Sequence, residues 1–422
     1  MNSKRILLLA GAVATGWTSV VPAAQPVTGP VATYWMSAST TSGMAAMFGG
    51  ASGAGRPSLG SLMSMGMGGG PDPNAAHHSL ILQLGSSQRP AGGGANAEHD
   101  APPGLGAGAV LPLLTPLQAR ATHEEAEPGP PPQYQKPKGR MLIFWGCGEH
   151  APANQPVVID FANLDQAGSM ARFAGLARGM AVSPMQPPSP SRNATYGEWP
   201  NRDSRTSVPV NGSLQGDHLV RGNYSPEIKF SLRADQDFLP PVQMTTNAKN
   251  PSGSATLAWR PVDGAMGYFA SLFGAGGRDQ IVMWTSSANQ SSAFALPEYL
   301  SNGDIGRLVA SHALMPPAQA SCVVPQEVVA AAGSAGFYQF AAYGGETNLS
   351  WPPRPPAPRP WNIAWQVKVR YRASTSGILG MDMSDMGGRR SGGDRPQNPG
   401  DPQRKKRPSL FNPLGGLGGI IP

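Results

Sequence analysis

Cys147, Glu149 and His150 lie in one short stretch, "MLIFWGCGEH" at 141–150, in which they follow an apolar run at residues 141–145. A thiol near a base can be held as a thiolate, which is the nucleophile of thiol catalysis. A Cys-x-x-His pair is also half of a zinc site, which needs two further ligands. The stretch is therefore either a reactive site or the end of a buried strand.

The compartment and the second cysteine, Cys322, favour the end of a strand. Residues 1–24 carry two basic side chains, an apolar run and a small-residue end, which is the layout of a cleaved secretory signal. We therefore predict a periplasmic or secreted protein. In an oxidising compartment two cysteines are most simply paired, so we predict a disulfide between Cys147 and Cys322. Two unpaired thiols, or catalysis or a metal at Cys147, are the alternatives.

Methionine thioethers are the second group that could do chemistry. They are soft ligands suited to Cu(I), and a Gly-rich chain with Met-x-Met spacing could bring several around one ion. Two tracts, "SLMSMGMGGG" at 61–70 and "MDMSDM" at 381–386, resemble the Met-rich tracts of periplasmic copper-handling proteins. Their candidate ligands are Met63, Met65, Met67, Met381, Met383 and Met386. The alternative is a weakly apolar disordered segment with no cofactor.

A basic tail is the third candidate. Its cluster is Arg404, Lys405, Lys406 and Arg407, followed by scattered apolar residues, a combination that can contact an anionic lipid surface. The alternative is a solvated disordered end. Of the formal net charge of +7, Lys4 and Arg5 of the predicted signal and the basic stretch at residues 389–407 carry all, so the remaining body has no net charge. This distribution argues against a nucleic-acid partner.

Composition separates the foldable part from its flanks. Gly and Pro, at 54 and 45 residues, concentrate in two predicted disordered arms. The first arm covers residues 25–137, with one possible strand at 78–84, and the second is the tail at 377–422. Short runs bounded by turn residues predict a first domain over 138–237, with strands at 140–147, 155–161, 217–224 and 227–234. One helix is predicted from Asn163 to Gly179.

A second domain is predicted over 238–376. Its stretch "ATLAWRPVDGAMGYFASLF" resembles the second and third strands of a fibronectin type III-like sandwich, with Trp259 in the core and Tyr268 opening the next strand. "FYQFAAYG", with Tyr338, resembles the sixth strand. Residues 288–332 depart from the pattern and contain a short helical segment. The resemblance implies a sandwich fold and no particular chemistry.

The predicted fold class is mainly β, with two β-sandwich-like (immunoglobulin- or fibronectin-like) domains and one short helix between disordered Gly/Pro/Met-rich arms. The sequence carries no Walker-type loop, nucleophile elbow or His-Glu-x-x-His motif. The predicted function is an exported, non-catalytic binding or structural protein of the bacterial envelope, whose partner is an envelope protein or surface component. The alternatives are Cu(I) handling by the Met-rich arms and a hydrolase with a site between the domains.

Overall fold

The computed structural model describes residues 27–44, 46, 76–117, 139–161, 182, 185–277, 279–290, 296–333, 336–356 and 360–381. The predicted signal peptide, the helix at 163–179 and the basic cluster at 404–407 lie outside the described residues. Of the six candidate copper ligands, Met381 alone is described.

Strands dominate the described residues. In chain order they are β1 (Val27–Thr28), β2 (Ala32–Gly43), β3 (His77–Ser86), β4 (Ala97–Asp100), β5 (Val110–Pro112), β6 (Arg140–Trp145), β7 (Val157–Asp160), β8 (Thr195–Trp199), β9 (Gly216–Gly222), β10 (Ile228–Leu232), β11 (Met244–Lys249), β12 (Ala255–Trp259), β13 (Gly267–Ala275), β14 (Gln280–Thr285), β15 (Ser321–Val324), β16 (Phe337–Trp351), β17 (Trp361–Asn362) and β18 (Trp365–Ile378). Two helices accompany them, α1 (Asn302–Ala310) and α2 (Gln326–Ala332). The mainly β fold class is confirmed.

One nine-stranded sheet, here called the main sheet, runs through the whole fold in the order β7-β6-β14-β13-β16-β18-β2-β3-β8. Its neighbours are antiparallel except at two places, where β6 pairs with β14 and β2 pairs with β18 in parallel. Two smaller antiparallel sheets complete the fold, with orders β10-β9-β4-β5 and β11-β12-β15. A short parallel pair joins β1 to β17.

Both smaller sheets pack on the same face of the main sheet, and the apolar side chains between the layers form one continuous core. Over β2, Tyr34 lies with its ring centroid 6.3 Å from that of Phe230 in β10. Over β13 and β16, Trp259 of β12 lies 5.5 Å from Tyr268 and 4.5 Å from Phe340. We call the β2-β3-β8 half with its four-stranded cover the first sandwich and the other half the second sandwich.

The two sandwiches share strands differently from the domain boundaries expected near 137 and 237. The first arm supplies four strands of the first sandwich, β2 to β5, and of these the sequence predicts only β3. Strands β6 and β7, expected in the first domain, lie at the far edge of the second sandwich beside β14. The reason is pairing between distant segments, since β6 continues the sheet in parallel from Gln280↔Arg140 to Thr285↔Trp145.

The connection between the sandwiches is anchored in the core by Phe238, Leu239 and Val242, whereas residues 233–235 are exposed. Residues 233–243 run against β2, where the Thr40 hydroxyl donates to the carbonyl of Leu239 at 2.6 Å and the Ser42 hydroxyl donates to that of Val242 at 2.8 Å. Leu239 and Val242 are themselves 6% and 3% exposed. An anchored, hydrogen-bonded connection and a shared sheet join the two sandwiches without a free hinge at this segment.

On the opposite face of the main sheet, α1 covers β13 and β16. Ser301 caps this helix, because its hydroxyl accepts from the Asp304 backbone N–H at 3.1 Å and satisfies a donor that the helix leaves open. Ile305 and Leu308 of α1 pack with Phe269 of β13 in a second apolar cluster. The main sheet is thus buried on both faces in its central part.

Candidate functional site

The stretch that contains Cys147 is a strand end fixed to the smaller sheet of the second sandwich. Cys147 and Cys322 form a disulfide, with Cα atoms 5.2 Å apart. Beside it the Gly148 N–H donates to the carbonyl of Val323 at 2.8 Å. The bridge therefore joins the end of β6, in the main sheet, to β15 in the opposite layer. Both sulfurs are in this bond, so neither is present as a thiolate for catalysis or metal binding.

The two other groups of this stretch have separate surroundings. His150, whose side chain is 66% exposed, lies with Nδ1 3.2 Å from Oε1 of Glu327 in the first turn of α2. The Ala151 backbone N–H donates to the other carboxylate oxygen of Glu327 at 2.8 Å. Desolvation acts to raise the pKa of Glu327, but the Ala151 N–H and His150 outweigh it and the pKa is lowered. The arrangement anchors the loop to α2 at the surface.

A chain of buried polar side chains crosses the first sandwich and was not expected from the sequence. The Tyr34 hydroxyl lies 2.9 Å from Nδ1 of His99, and Nε2 of His99 lies 2.9 Å from Nδ1 of His218. Nε2 of His218 lies 2.7 Å from the carbonyl oxygen of Leu214. Tyr34, His99 and His218 are 0%, 0% and 2% exposed.

The carbonyl of Leu214 sets the direction of every hydrogen bond in this chain. A carbonyl only accepts, so Nε2 of His218 carries a hydrogen and donates to it. In neutral His218, Nδ1 then accepts, and Nε2 of His99 must donate. Nδ1 of His99 is left as an acceptor, and the Tyr34 hydroxyl donates to it. With both imidazoles neutral, as their burial favours, each carries its hydrogen on Nε2.

The pKa shifts agree with this assignment. Burial lowers the pKa of His99 well below its ordinary value, and the neighbouring His218 lowers it further. Burial also lowers the pKa of His218, against smaller opposing effects of the Leu214 carbonyl and Asp217. Burial raises the pKa of Tyr34 well above its ordinary value. The chain is closed off from solvent, so it holds the two layers of the first sandwich together.

A cation lies on the other face of the main sheet. The guanidinium of Arg370, in β18, lies between the rings of Trp35 and Tyr299, 5.0 Å and 4.3 Å from their centroids. It donates to the Ser37 hydroxyl from Nε at 2.9 Å and from Nη2 at 2.7 Å. Burial lowers the pKa of Arg370, while Tyr299 and two glutamates oppose the shift. Stacking and hydrogen bonds hold this cation in place.

One end of the main sheet gathers unpaired arginines and an exposed tryptophan. Four neighbouring strand ends meet there, because the Ala364 N–H donates to Trp351, the Val31 N–H to Ile363, and the Ser87 N–H to Val31. The Thr195 hydroxyl of β8 then donates to the carbonyl of Gln88 at 2.7 Å. The exposed side chains of this end are Arg89, Arg192, Trp351 and Arg354. We call them the arginine–tryptophan end.

The chemistry of this end is one-sided. Trp351 is 58% exposed, the largest exposure of an aromatic side chain among the described residues. Arg354 extends over the ring of Trp361 at 5.8 Å, and the Trp361 indole N–H donates to the carbonyl of Pro352 at 3.0 Å. The strand ends and turns at 28–33, 84–96, 186–195 and 350–366 contain no Asp or Glu in the sequence. None of the three arginines forms an ion pair within the part of the chain that is described.

Glu98 of the adjoining four-stranded sheet and Glu227 beside it already have cationic partners. Glu98 lies 2.6 Å from Arg221, and Glu227 lies 2.6 Å from Lys229. The arginines of the arginine–tryptophan end are therefore left for a ligand outside this chain. The sequence shows these arginines only as turn residues in "SSQRP", "PSRNAT" and "WPPRPP", and nothing in it says that the turns meet.

The remaining predicted ligands are not assembled in the described part. Met381 is 48% exposed at the end of β18, and its candidate partners lie outside the described residues. No cluster of three His, Cys, Asp or Glu side chains with metal-binding geometry occurs among the described residues. Within those residues, neither helix has the length and apolar character needed to cross a bilayer.

Comparison with protein-family models, curated proteins and solved structures returned no match for this chain. The site is therefore argued from its own geometry alone.

Proposed function

We propose that this chain is an exported, non-catalytic binding protein of the cell envelope, in which two joined sandwiches hold the arginine–tryptophan end as the recognition surface. The observation that carries the proposal is the meeting of three unpaired arginines and the exposed Trp351 at one end of a sheet. Trp and Arg, with Tyr, are the residue types most enriched among the residues that carry the binding energy of protein interfaces. The shared main sheet and the anchored connection fix these side chains relative to one another.

The disulfide supports an oxidising compartment for this protein. A bridge between Cys147 and Cys322 persists in exported proteins and is rare in the cytosol. The layout of residues 1–24 as a secretory signal is in accord with it. We therefore place the protein, within this proposal, in the periplasm or outside the cell.

The strand order of the second sandwich supports a fibronectin type III-like module in this half. Numbered from β11 and with the two-residue β17 left out, its first, second and fifth strands form one sheet, β11-β12-β15. Its fourth, third, sixth and seventh strands, β14-β13-β16-β18, lie adjacent in the main sheet. That division is the one expected of such a module, and Trp259 and Tyr268 pack against each other between the layers. Modules of this kind serve many binding functions.

Site-specific photo-crosslinking in the protein's own cells tests the proposed function. A benzophenone amino acid is placed at Trp351 and, in a second variant, at Val210, which is 56% exposed on the loop beside the far end of β3. We expect adducts with an envelope component from position 351 and few from position 210. Equal adducts from both positions, or none from either, would refute a recognition surface at the arginine–tryptophan end.

A further inference from the structure

We infer that the arginine–tryptophan end docks on the headgroup layer of an anionic lipid bilayer. The inference rests on the proposed function and names the partner of the same surface. A bilayer surface asks for two things together, cations for the phosphates and an amphipathic ring for the boundary between headgroups and acyl chains. Arg89, Arg192 and Arg354 offer the first, and Trp351 offers the second.

The shape of this end suits a flat surface better than a small ligand. The four strand ends lie side by side in the order β16, β18, β2 and β3, with β8 beyond, at a spacing of about 4.8 Å between strands. Four strand spacings separate β16 from β8, so the cations are spread over about 20 Å, from Arg354 in the β16–β18 hairpin to Arg192 before β8. Arg192 donates from Nη2 to the carbonyl of Pro187 at 2.6 Å, but none of the three arginines is paired with an acid among the described residues, so each guanidinium keeps donors for a separate phosphate.

Trp351 lies in a segment that has few backbone groups in need of a hydrogen bond from water. Pro352, Pro353 and Pro356 are exposed beside it and lack the backbone N–H that would otherwise need a partner in the headgroup layer. The hydrogen bond from the Trp361 indole to the Pro352 carbonyl satisfies a further polar group of the hairpin. Burial of Trp351 and these prolines would thus remove apolar surface from water with few unsatisfied polar groups.

The point at which the N-terminal segment leaves the fold supports a bilayer as the occupant. β1 begins at Val27 and pairs with β17 within the hairpin that carries Trp351 and Arg354. Only Gln25 and Pro26 separate it from the end of the predicted signal at residue 24, a span of about 10 Å when extended. Once the chain has crossed the membrane and folded, and before the predicted signal is removed, the arginine–tryptophan end is the part of the fold nearest to the bilayer that holds the signal.

Vesicle flotation of the mature full-length protein tests this inference. The probes are vesicles of phosphatidylglycerol and phosphatidylethanolamine, compared with vesicles of phosphatidylcholine alone. The test variant replaces Arg89, Arg192 and Arg354 by Gln. A control variant of equal net charge replaces Arg140, Arg205 and Arg233, which lie away from this end. A third variant replaces the tail cluster at 404–407 by Gln.

We expect binding to the anionic vesicles that the test variant weakens about 100-fold, because three cations at about 1 kcal/mol each sum to about 3 kcal/mol and every 1.4 kcal/mol is tenfold. The control variant and the tail variant should each retain most of the affinity. No binding by the unaltered protein, equal loss in test and control variants, or complete loss in the tail variant alone would overturn the inference.

Depth-dependent quenching by brominated lipids gives a readout specific to Trp351. We expect quenching of the protein's tryptophan fluorescence that Trp351→Phe removes in large part, although the buried tryptophans remain. Quenching unchanged by this substitution would contradict the inference. Crosslinks from position 351 to a protein, with no vesicle binding, would leave the proposed function standing and reject the bilayer as its partner.

Discussion

Replacement of His99 by Leu should destabilise the first sandwich through two orphaned groups. The substitution removes the acceptor of the Tyr34 hydroxyl and the donor to Nδ1 of His218, both of which are buried. A buried polar atom left without a partner costs about 1–3 kcal/mol, so the two together should cost about 2–6 kcal/mol of the free energy of unfolding. A domain is typically stable by about 5–15 kcal/mol, so the effect is large.

Acid should destabilise the unaltered protein through the same chain. The folded-state pKa values of His99 and His218 lie below the ordinary value, so the unfolded chain binds more protons as the pH falls below about 6.5. The stabilising contribution is therefore fully present above the unfolded pKa and is lost as the pH falls toward the folded pKa. Each proton contributes at most about 1.4 kcal/mol per pH unit, so two histidines give a slope of up to about 2.7.

Urea unfolding between pH 8 and pH 5, followed by circular dichroism, measures both effects. At pH 8 the His99→Leu variant should unfold at lower urea concentration with an unchanged slope against urea. The triple variant Tyr34→Phe, His99→Leu, His218→Leu should lose most of the acid dependence in this window; the residual slope should come from His78, whose pKa burial also lowers. A stability of the unaltered protein that is constant, or rises, from pH 7 to pH 5.5 would refute the assignment of neutral, hydrogen-bonded imidazoles.

Three further substitutions test other parts of the fold. Replacement of Cys147 and Cys322 by Ser should lower the free energy of unfolding by about 5 kcal/mol, by the chain-entropy relation for a loop of 175 residues. A melting temperature of the unaltered protein that does not change with reductant would contradict this expectation. Arg370→Lys keeps the charge but loses the two-pronged contact with the Ser37 hydroxyl, so denaturant unfolding should show a loss of about 1–3 kcal/mol; the exposed Arg354→Lys is the control, expected within about 0.5 kcal/mol. Gly29→Ala places a Cβ 2.2 Å from a backbone carbonyl oxygen at a φ of +91°, so hydrogen exchange should become faster in β1 and β17, and unchanged protection would show that the strands tolerate the shift.

Strands with one wet face could be predicted from the sequence. In β10, Ile228, Phe230 and Leu232 are buried and the residues between them are exposed, as their alternation indicates. The predicted strands at 140–147, 155–161 and 217–224 also correspond to β6, β7 and β9 within a few residues. For β10 the local pattern was enough because burial on one face leaves a period of two in the sequence, whereas β6 and β7 were recognisable as short apolar runs bounded by turn residues.

Strand β2 could not be predicted because it is buried on both faces. Its sequence, "ATYWMSASTTSG", has no alternation, and its small polar residues Ser37, Thr40 and Ser42 are buried with hydrogen bonds that only the fold provides. The same segment was therefore assigned to a disordered arm. Met36, which lies within the predicted first arm, is fully buried in the core.

The disulfide could be predicted from compartment and cysteine count, whereas the candidate site could not. Cys147 and Cys322 are the two cysteines of the chain, which leaves one intramolecular pairing. Arg89, Arg192 and Arg354 lie in turns far apart in sequence, and only the order of β16, β18, β2, β3 and β8 in one sheet brings them together. Parallel pairings such as β18 with β2 leave no local signal from which that order could be read.

The parallel pairing of β2 with β18 also limits when the main sheet can form during synthesis. Ala32 pairs with Trp365 and Gly43 with Ser376, so one of the first strands to leave the ribosome can complete its edge only when one of the last has followed. Contacts of such long sequence separation form slowly, because the intervening chain must first be closed into a loop. The main sheet therefore cannot close until residues 365–376 have been synthesised, and one edge of β2 stays without its partner strand for most of the chain's synthesis.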